Sequence, residues 1–258
     1  MSREEKEGRT WVSGTPPLWV RHPAGSRHCP GCHHPIIERL IADVVGEMGV
    51  EDDAVLVTGV GCSTRAFVVL DMDGISTAHG RAPDVGTAIK RSLHGRPIVI
   101  TLQGDGDCIA IGAGSLLAAV GRAERITVIM ANNANYGTTG GQMAPTTLMG
   151  QVTSTTPGGR DASTGYPMHV PELLATLKGC VYAARGSVHT PANYQRTKKY
   201  LRIAVQKQID NVGFSFVEII SACPPDWRLT PVESLRFIEE RMVPEFPLGE
   251  FKNVGGIE

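Results

Sequence analysis

The chain has 258 residues, with 25 basic against 26 acidic side chains and a formal net charge of −1, so no overall field exists to draw in nucleic acid or an anionic membrane surface. No run approaches the roughly 18 apolar residues of a membrane span. The opening MSREEKEGRT is charged where a secretory signal would be apolar, which points to a cytoplasmic protein. With 30 glycines and only 5% aromatic residues, the composition suits a single α/β domain with many tight turns.

Residues 1–27 hold Ser13-Gly14-Thr15-Pro16-Pro17, Pro23 and Gly25 without sustained periodicity and read as an arm, leaving 28–258 as one domain. IIERLIADVVGEM, 36–48, has the apolar spacing of a helix and leads into a short strand, AVLVTGV, at 54–60. Residues 84–94 predict a helix, PIVITLQ (97–103) a buried parallel strand, IAIGAGSLLAAV (109–120) a helix and RITVIMA (125–131) a strand. The segment 137–169 is rich in Gly, Thr and Pro and long for a connection in a compact domain, which marks a functional loop. Beyond it the pattern predicts helix 171–178, strand 180–184, helix 191–210, strand 214–220 and a last helix from Pro231. Strands alternating with helices imply right-handed crossovers and a mostly parallel sheet with helices on both faces.

The densest stretch is GDGDCIAIGAGSLLAAVGRAERITVIMANNANYGTTGGQ, 104–142. A strand ending in Gly104-Asp105-Gly106 leaves its carboxylate at the carboxyl edge of the sheet, where glycine admits a ligand to the backbone and the next helix offers amides to a diphosphate. One crossover returns Asn132 and Asn133 to the same edge. A hard cation such as Mg²⁺ takes a few oxygen ligands from protein and the rest from phosphate and water, so Asp105, an Asn amide oxygen and one carbonyl would suffice. Taken bare, GDG is a common turn; GDG and NN straddling a helix and a strand are far more specific.

Four cysteines, Cys29 and Cys32 in CPGC, Cys62 after Gly61 and Cys223 before Pro224-Pro225, lie in loop-like sequence, whereas Cys108 and Cys180 sit among apolar residues as core thiols. By count, four thiolates suit tetrahedral Zn²⁺ and a [4Fe-4S] cluster equally. The turn AHGRAPDVGTAIKR sets His79 and Arg81 before a helix whose first turn holds Asp84; a structural reading has His79 bonding turn backbone and Arg81 pairing with Asp84.

The GDG and NN elements resemble the thiamine diphosphate motif. With NYGTTGGQMAPTT, CPGCHH, GVGCS, AHGRAPDVGTAIKR and SACPPDW in this order over residues 28–250, the chain resembles the β subunits of the 2-oxoacid:ferredoxin oxidoreductase family, and with its tail TPVESLRFIEERMVPEFPLGEFK it is most similar to those acting on 2-oxoglutarate or branched-chain 2-oxoacids. The resemblance implies that Asp105 and Asn133 bind Mg²⁺ through side chains and Asn135 through its carbonyl, while Gly104, Gly106, Asp107 and the loop Gly137, Thr138, Thr139 to Gln142 wrap the diphosphate. Asn132 stands either as a turn residue or as a ligand contact. It implies a [4Fe-4S] cluster on Cys29, Cys32, Cys62 and Cys223, and places His79 near the thiamine as a proton-transfer or positioning group. The family pattern often reads CPGCGH where this chain has His33, a change in the polarity around the sulfurs that removes no ligand. Ser115, in the helix after GDGD, leaves substrate preference open.

The implied reaction is oxidative decarboxylation of a 2-oxoacid to acyl-coenzyme A and carbon dioxide, with electrons passing through the cluster to ferredoxin. The glutamate that activates thiamine belongs in this family to another subunit or domain. The resemblance therefore implies a chain inactive alone, working with α and γ subunits and a ferredoxin-like δ polypeptide. Two rival readings are a non-redox thiamine decarboxylase subunit, which has no use for the loop cysteines, and a non-catalytic metal-binding or electron-transfer protein, which would retain no thiamine.

Overall fold

The computed structural model describes residues 27–255, so the arm expected over 1–27 lies, but for Arg27, outside the described residues. A seven-stranded sheet runs through the molecule in the order β2-β1-β3-β4-β6-β5-β7. Its strands are β1 (Ala54–Thr58), β2 (Asp73–Ser76), β3 (Ile98–Gly104), β4 (Thr127–Asn132), β5 (Cys180–Ser187), β6 (Phe214–Ile220) and β7 (Gly249–Asn253). All neighbours pair in parallel except β5 with β7. The α/β class and the parallel sheet expected from the strand and helix alternation are those observed.

Helices cover both faces. On one, α1 (His34–Met48) and the later helix Pro191–Ile209 pack Ile37, Leu40, Ile41, Leu201, Ala204 and Val205 against Leu56, Ile100, Leu102, Ile129 and Val217 of the sheet. On the other, α2 (Ala82–Ser92), α3 (Ala113–Gly121) and α4 (Val170–Ala175) bury Ala82, Leu116, Val120, Val170 and Leu174 over Val57, Val99, Val128 and Phe216. Adjacent sheet residues thus point alternately into two apolar layers, which is why the central strands read as continuous β-branched runs. The long helix Pro191–Ile209 becomes α5, and its start is set by Thr190, whose hydroxyl accepts from Asn193 N (3.2 Å), with Pro191 in the first turn. Helices α6 (Pro224–Trp227) and α7 (Pro231–Phe237) complete the carboxyl-terminal part; Thr230 and Glu233 form a reciprocal capping box at the start of α7.

Three elements had no counterpart in the sequence reading. β2 is short and exposed throughout and lacks an alternating pattern, β7 pairs antiparallel at the far edge, and the helix expected over 109–120 is divided into a π-helical turn, Gly106–Ile111, and α3. The register explains where a ligand would sit. Thr58 of β1 lies opposite Ser76 of β2 and Leu102 of β3, and Gly104 of β3 lies opposite Ala131 of β4, so β1 and β2 end together and β3 and β4 end together about two residues further on, all at the same edge of the sheet. The chain leaves β1 toward β2 and leaves β3 in the other direction, toward β4. The crevice between them is a topological switch point, the standard ligand position in an open α/β sheet.

One charged network is buried inside the sheet. Arg185 of β5, fully buried, donates from Nε to Glu218 of β6 (2.7 Å) and with both terminal nitrogens to Glu172 of α4 (2.7 and 2.6 Å). Glu218 in turn accepts from Asn132 Nδ2 (2.6 Å). Among the described residues, no helix is long and apolar enough to cross a membrane.

Removing the guanidinium leaves Glu218 charged and without its cation in the core, a loss of about 3–5 kcal/mol for a broken buried pair. Arg185→Met is therefore expected to lower the midpoint of chemical denaturation markedly, and unchanged stability in a urea titration would contradict the account of the network.

Candidate active site

Asp105 caps the π-helical turn at the end of β3, is almost fully buried, and accepts hydrogen bonds from Gly106 N (2.9 Å) and from the Thr146 hydroxyl. Burial pushes its carboxyl up to about 7, against the opposing pull of those two bonds. Across the crevice, Asn133 and Asn135 follow β4. Asn133 Oδ1 accepts only a long bond from Asn135 N (3.3 Å), and Asn135 Oδ1 is buried with no partner among the described residues. A buried carboxyl raised toward neutrality and an orphaned amide oxygen thus face one cleft, and both are of the oxygen type that hard cations take.

Gly104, Asp105, Gly106 and Asp107 form one wall of that cleft; Asn133, Asn135, Gly137, Thr138 and Thr139 form the facing one. His79 and Cys62 close it, with Tyr136 laid over Gly106. Gln142 is not brought to the walls: its amide bonds back onto Thr139, donating from Nε2 to the carbonyl (2.7 Å) and accepting from the hydroxyl (2.6 Å) at Oε1. Asn132 is fully buried, and its side chain shapes the turn, accepting from Ala134 N (3.0 Å) while it donates to Glu218. That is the turn role; the Asn132 side chain does not reach the cleft.

The loop expected over 137–169 is organised by Arg160. Its guanidinium, though buried, meets no carboxylate and donates to the carbonyls of Thr147 (2.5 Å), Pro145 (3.0 Å), Gly165 (2.9 Å) and Tyr166 (2.8 Å), and burial draws its pKa down. The loop so held turns Thr146 toward Asp105, and Thr147 and Gln151 donate to the carbonyl of Ala134 (2.7 and 3.2 Å).

The three cysteine loops meet beside this cleft. Cys62 Sγ lies 3.2 Å from the Thr138 hydroxyl, and Gly137, one residue earlier, lies beside the sulfur of Cys223. The CPGC turn packs at Gly31 on Pro224 and Pro231, where a side chain would collide with the Pro231 ring and where φ is +77°. Cys223 donates from Sγ to Asp226 Oδ2 (3.2 Å), and Trp227 of the same helix donates to the carbonyl of Asn133 (3.0 Å), tying the cysteine to the Asn turn. Burial pushes the Cys32 thiol up to about 12, with Cys62 and Cys29 adding to it, and raises Cys223, with Asp226 and Cys32 adding to it. Each of these thiols therefore lies in the field of another. Among the described residues, however, no three His, Cys, Asp or Glu side chains are gathered closely enough to hold a metal ion as they stand. Cys108 and Cys180 are buried core thiols, as expected, and all six cysteines are free.

His33 and His34 are buried and desolvation pulls them down to about 4 and about 3. Arg81 and Asp84 do pair (3.5 Å), with Ser115 between them, accepting from Arg81 (2.6 Å) and donating to Asp84 (2.6 Å). Ser115 thus joins α2 to α3, and is not a cleft residue. His79 departs from the structural reading, because its partner is the Asp107 side chain.

Sequence reasoning missed Gln103, Tyr136, Thr146, Arg185 and Glu218. For three of them a signal existed: Gln103, Arg185 and Glu218 are polar residues inside otherwise apolar buried strands, where an unpaired group is costly and a partner is implied. Thr146 had none, since its role depends on how the loop folds back.

The comparisons with known proteins agree with this geometry. Residues 59–219 match the family model of the thiamine pyrophosphate enzyme C-terminal TPP binding domain. The ketoisovalerate oxidoreductase subunit VorA of Methanothermobacter marburgensis is 41% identical over 232 residues, 90% of this chain and 48% of its own length. The 2-oxoglutarate synthase subunit KorB of Archaeoglobus fulgidus is 34% identical over 212 residues, 82% of this chain and 75% of its own. The solved 2-oxoglutarate:ferredoxin oxidoreductase of Magnetococcus marinus, with 2-oxoglutarate, coenzyme A and succinyl-CoA bound, has the same fold, at a TM-score of 0.77 and 24% identity over 93% of this chain and 84% of that one. The chain spans about half the length of the VorA relatives it matches. The fold and the cleft define a thiamine diphosphate-binding domain of the thiamine pyrophosphate enzymes. Within that class the chain belongs to the 2-oxoacid:ferredoxin oxidoreductase family, among its β subunits.

The raised Asp105 carboxyl has a direct consequence for the ligand-free chain. The folded state holds a proton that the unfolded state releases near pH 4, so stability falls as pH rises from about 4 to about 7. Asp105→Asn is expected to melt at a higher temperature than the parent at mildly alkaline pH and to lose Mg²⁺-dependent thiamine diphosphate binding. Melting curves across that range, with calorimetric titration of the cofactor, check both halves.

Proposed function

We propose that the chain is the catalytic β subunit of a cytoplasmic 2-oxoacid:ferredoxin oxidoreductase that converts 2-oxoglutarate or a branched-chain 2-oxoacid and coenzyme A to acyl-coenzyme A and carbon dioxide. The observation that carries this reading is the meeting, on the two sides of the turn 135–138, of an oxygen-donor set built for a diphosphate-bound cation and three cysteine loops. The names of the relatives, ketoisovalerate oxidoreductase and 2-oxoglutarate synthase, support the substrate class.

In this reading Mg²⁺ is held by Asp105, by Asn133 and by Asn135, whose orphaned side-chain oxygen joins its carbonyl as a donor. The backbone of Gly104 and Gly106 and the hydroxyls of Thr138 and Thr139 line the space left for the diphosphate. When bound, thiamine diphosphate supplies the electron sink for loss of carbon dioxide from a 2-oxoacid. A [4Fe-4S] cluster on Cys29, Cys32, Cys62 and Cys223 would supply a one-electron acceptor leading outward to ferredoxin. Burial holds the Cys32 and Cys223 thiols protonated, so assembly of a cluster must displace protons from both. His79 stands at the cleft wall with its side chain one-third exposed, placed to exchange a proton with a bound substrate. The proposed partners are α and γ subunits and a ferredoxin-like δ polypeptide, with the thiamine-activating glutamate outside this chain. Six unpaired cysteines, of which Cys29 is exposed, accord with a reducing compartment.

The complex purified anaerobically from its native cells should carry thiamine diphosphate together with about four irons and as many sulfides for each cluster site. Cys223→Ser should lower iron and leave thiamine diphosphate bound. Thiamine without iron would place the chain with non-redox thiamine decarboxylases, and zinc without thiamine would leave a structural metal protein.

A further inference from the structure

Asp107, two residues beyond the carboxylate at the cation site, has both of its oxygens taken by the protein. Oδ1 accepts from His79 Nδ1 and from Gly80 N (2.7 Å), and Oδ2 accepts from Gln103 Nε2 (2.6 Å). The carboxylate is almost fully buried and packs directly on Gly59, where any side chain would collide with it. Five pieces of chain are shaped around this one group: the end of β1 at Gly59, the turn 77–81, the end of β3 at Gln103, the π-helical turn, and Gly112, against which Gly80 packs. Its carboxylate is turned to His79, Gly80 and Gln103, so its effect on the cleft passes chiefly through the groups that bond to it.

The consequential one is His79. An acceptor-only carboxylate oxygen at Nδ1 requires that the hydrogen of the neutral ring be on Nδ1. The lone pair is then on Nε2, which has no hydrogen-bond partner among the described residues, in a ring that lines the cleft edge-on to Tyr136 (69° between planes, centroids 6.5 Å apart). The backbone amide of Gly80 on the same Oδ1 matters as much as the carboxylate, because it pins that oxygen where the ring must find it. A solvated imidazole has no such constraint.

We propose that Asp107 is a positioning residue that holds His79 in the Nδ1–H form and so presents an unprotonated Nε2 to the cleft. Asp107 and His79 then form a two-residue relay, with the imidazole as the group that meets the substrate and the carboxylate setting its tautomer and angle. The catalytic half of this statement rests on the oxidoreductase reading, while the tautomer does not.

The tautomer is read directly from ¹⁵N-histidine-labelled full chain by long-range ¹H–¹⁵N correlation at mildly alkaline pH, with His79→Asn assigning the signal. The expected pattern is Nδ1 protonated and Nε2 free. The Nε2–H pattern in the parent chain overturns the proposal whatever the variants do. Asp107→Ala should shift His79 toward Nε2–H. Asp107→Asn should keep the parent pattern, since its Oδ1 stays on Gly80 N while the Gln103 amide turns over to offer the Asn nitrogen its Oε1, which now lacks a partner. A parent-like signal in folded Asp107→Ala would overturn the proposal as well. In the reconstituted complex, Asp107→Ala and His79→Ala should each lower kcat by about 10²-fold, the ordinary scale of one proton-transfer group. The double variant should lose little more, because the two act as a unit, and Asp107→Asn should stay within about tenfold of the parent by the same scale. Additive losses would overturn the relay. A complex without thiamine chemistry would remove the catalytic half and leave the spectroscopic result standing.

Discussion

A carboxylate buried at the end of β3, Asp105, has two hydrogen bonds, no neighbouring cationic side chain among the described residues and a pKa pushed up to about 7. Burying such a group is unfavourable unless a counter-charge arrives, and the domain keeps it at the switch point of its sheet, at the edge where β1 to β4 end. Much of the surrounding structure maintains that position. Asn132 sits in the sheet, engaged by Glu218 and by the turn it shapes, so that Asn133 and Asn135 face the carboxylate. Arg160 orders the long loop through carbonyls alone, which delivers Thr146 to Asp105. Ligand-free stability is lowered there by a carboxylate kept out of water, the usual relation between function and strain in an active site.

The charged network of Arg185, Glu218 and Glu172 has a related role one layer below. Glu218 is fully buried and lies within electrostatic reach of Asp105, which its charge pushes further up. Arg185 supplies the positive charge that lets Glu218 remain in the core, and in doing so fastens β5, β6 and α4 together. Such a network adds little net stability beside an apolar core, but breaking it is costly, and its geometry specifies how the strand ends line up beneath the cleft. Electrostatics here govern the position of a turn more than the strength of the fold.

The cysteine loops and the cofactor cleft share structure. Thr138 touches Cys62, Gly137 lies beside Cys223, and Trp227 of the Cys223 helix bonds the carbonyl of Asn133. A single turn therefore carries the oxygen donors on one side and sulfur on the other. A shift of Asn133 or Asn135 would therefore be felt at Cys62 and Cys223 within a few bonds.

Read alone, the chain contained most of this. The apolar periodicities placed the strands at 98–104, 127–132 and 214–220 and the long helix at 191–209 within a residue or two, because a buried parallel strand and an amphipathic helix each impose their period on neighbouring residues. Gly104-Asp105-Gly106 with the Asn pair, and the cysteines set among Gly and Pro, also stood out, since their chemistry is local to a turn. What the sequence could not determine was which distant groups would close on them. β2 and β7 are short or at an edge and carry no pattern. Asp107 stands in the cleft wall, but that its carboxylate would bond His79, Gly80 and Gln103, and that the Gln142 amide would bond Thr139, could not be read from the chain. Residue types and their spacing follow from the chain itself, whereas hydrogen-bond partners separated by tens of residues are chosen by how the strands and loops pack. That choice was left to the tertiary structure.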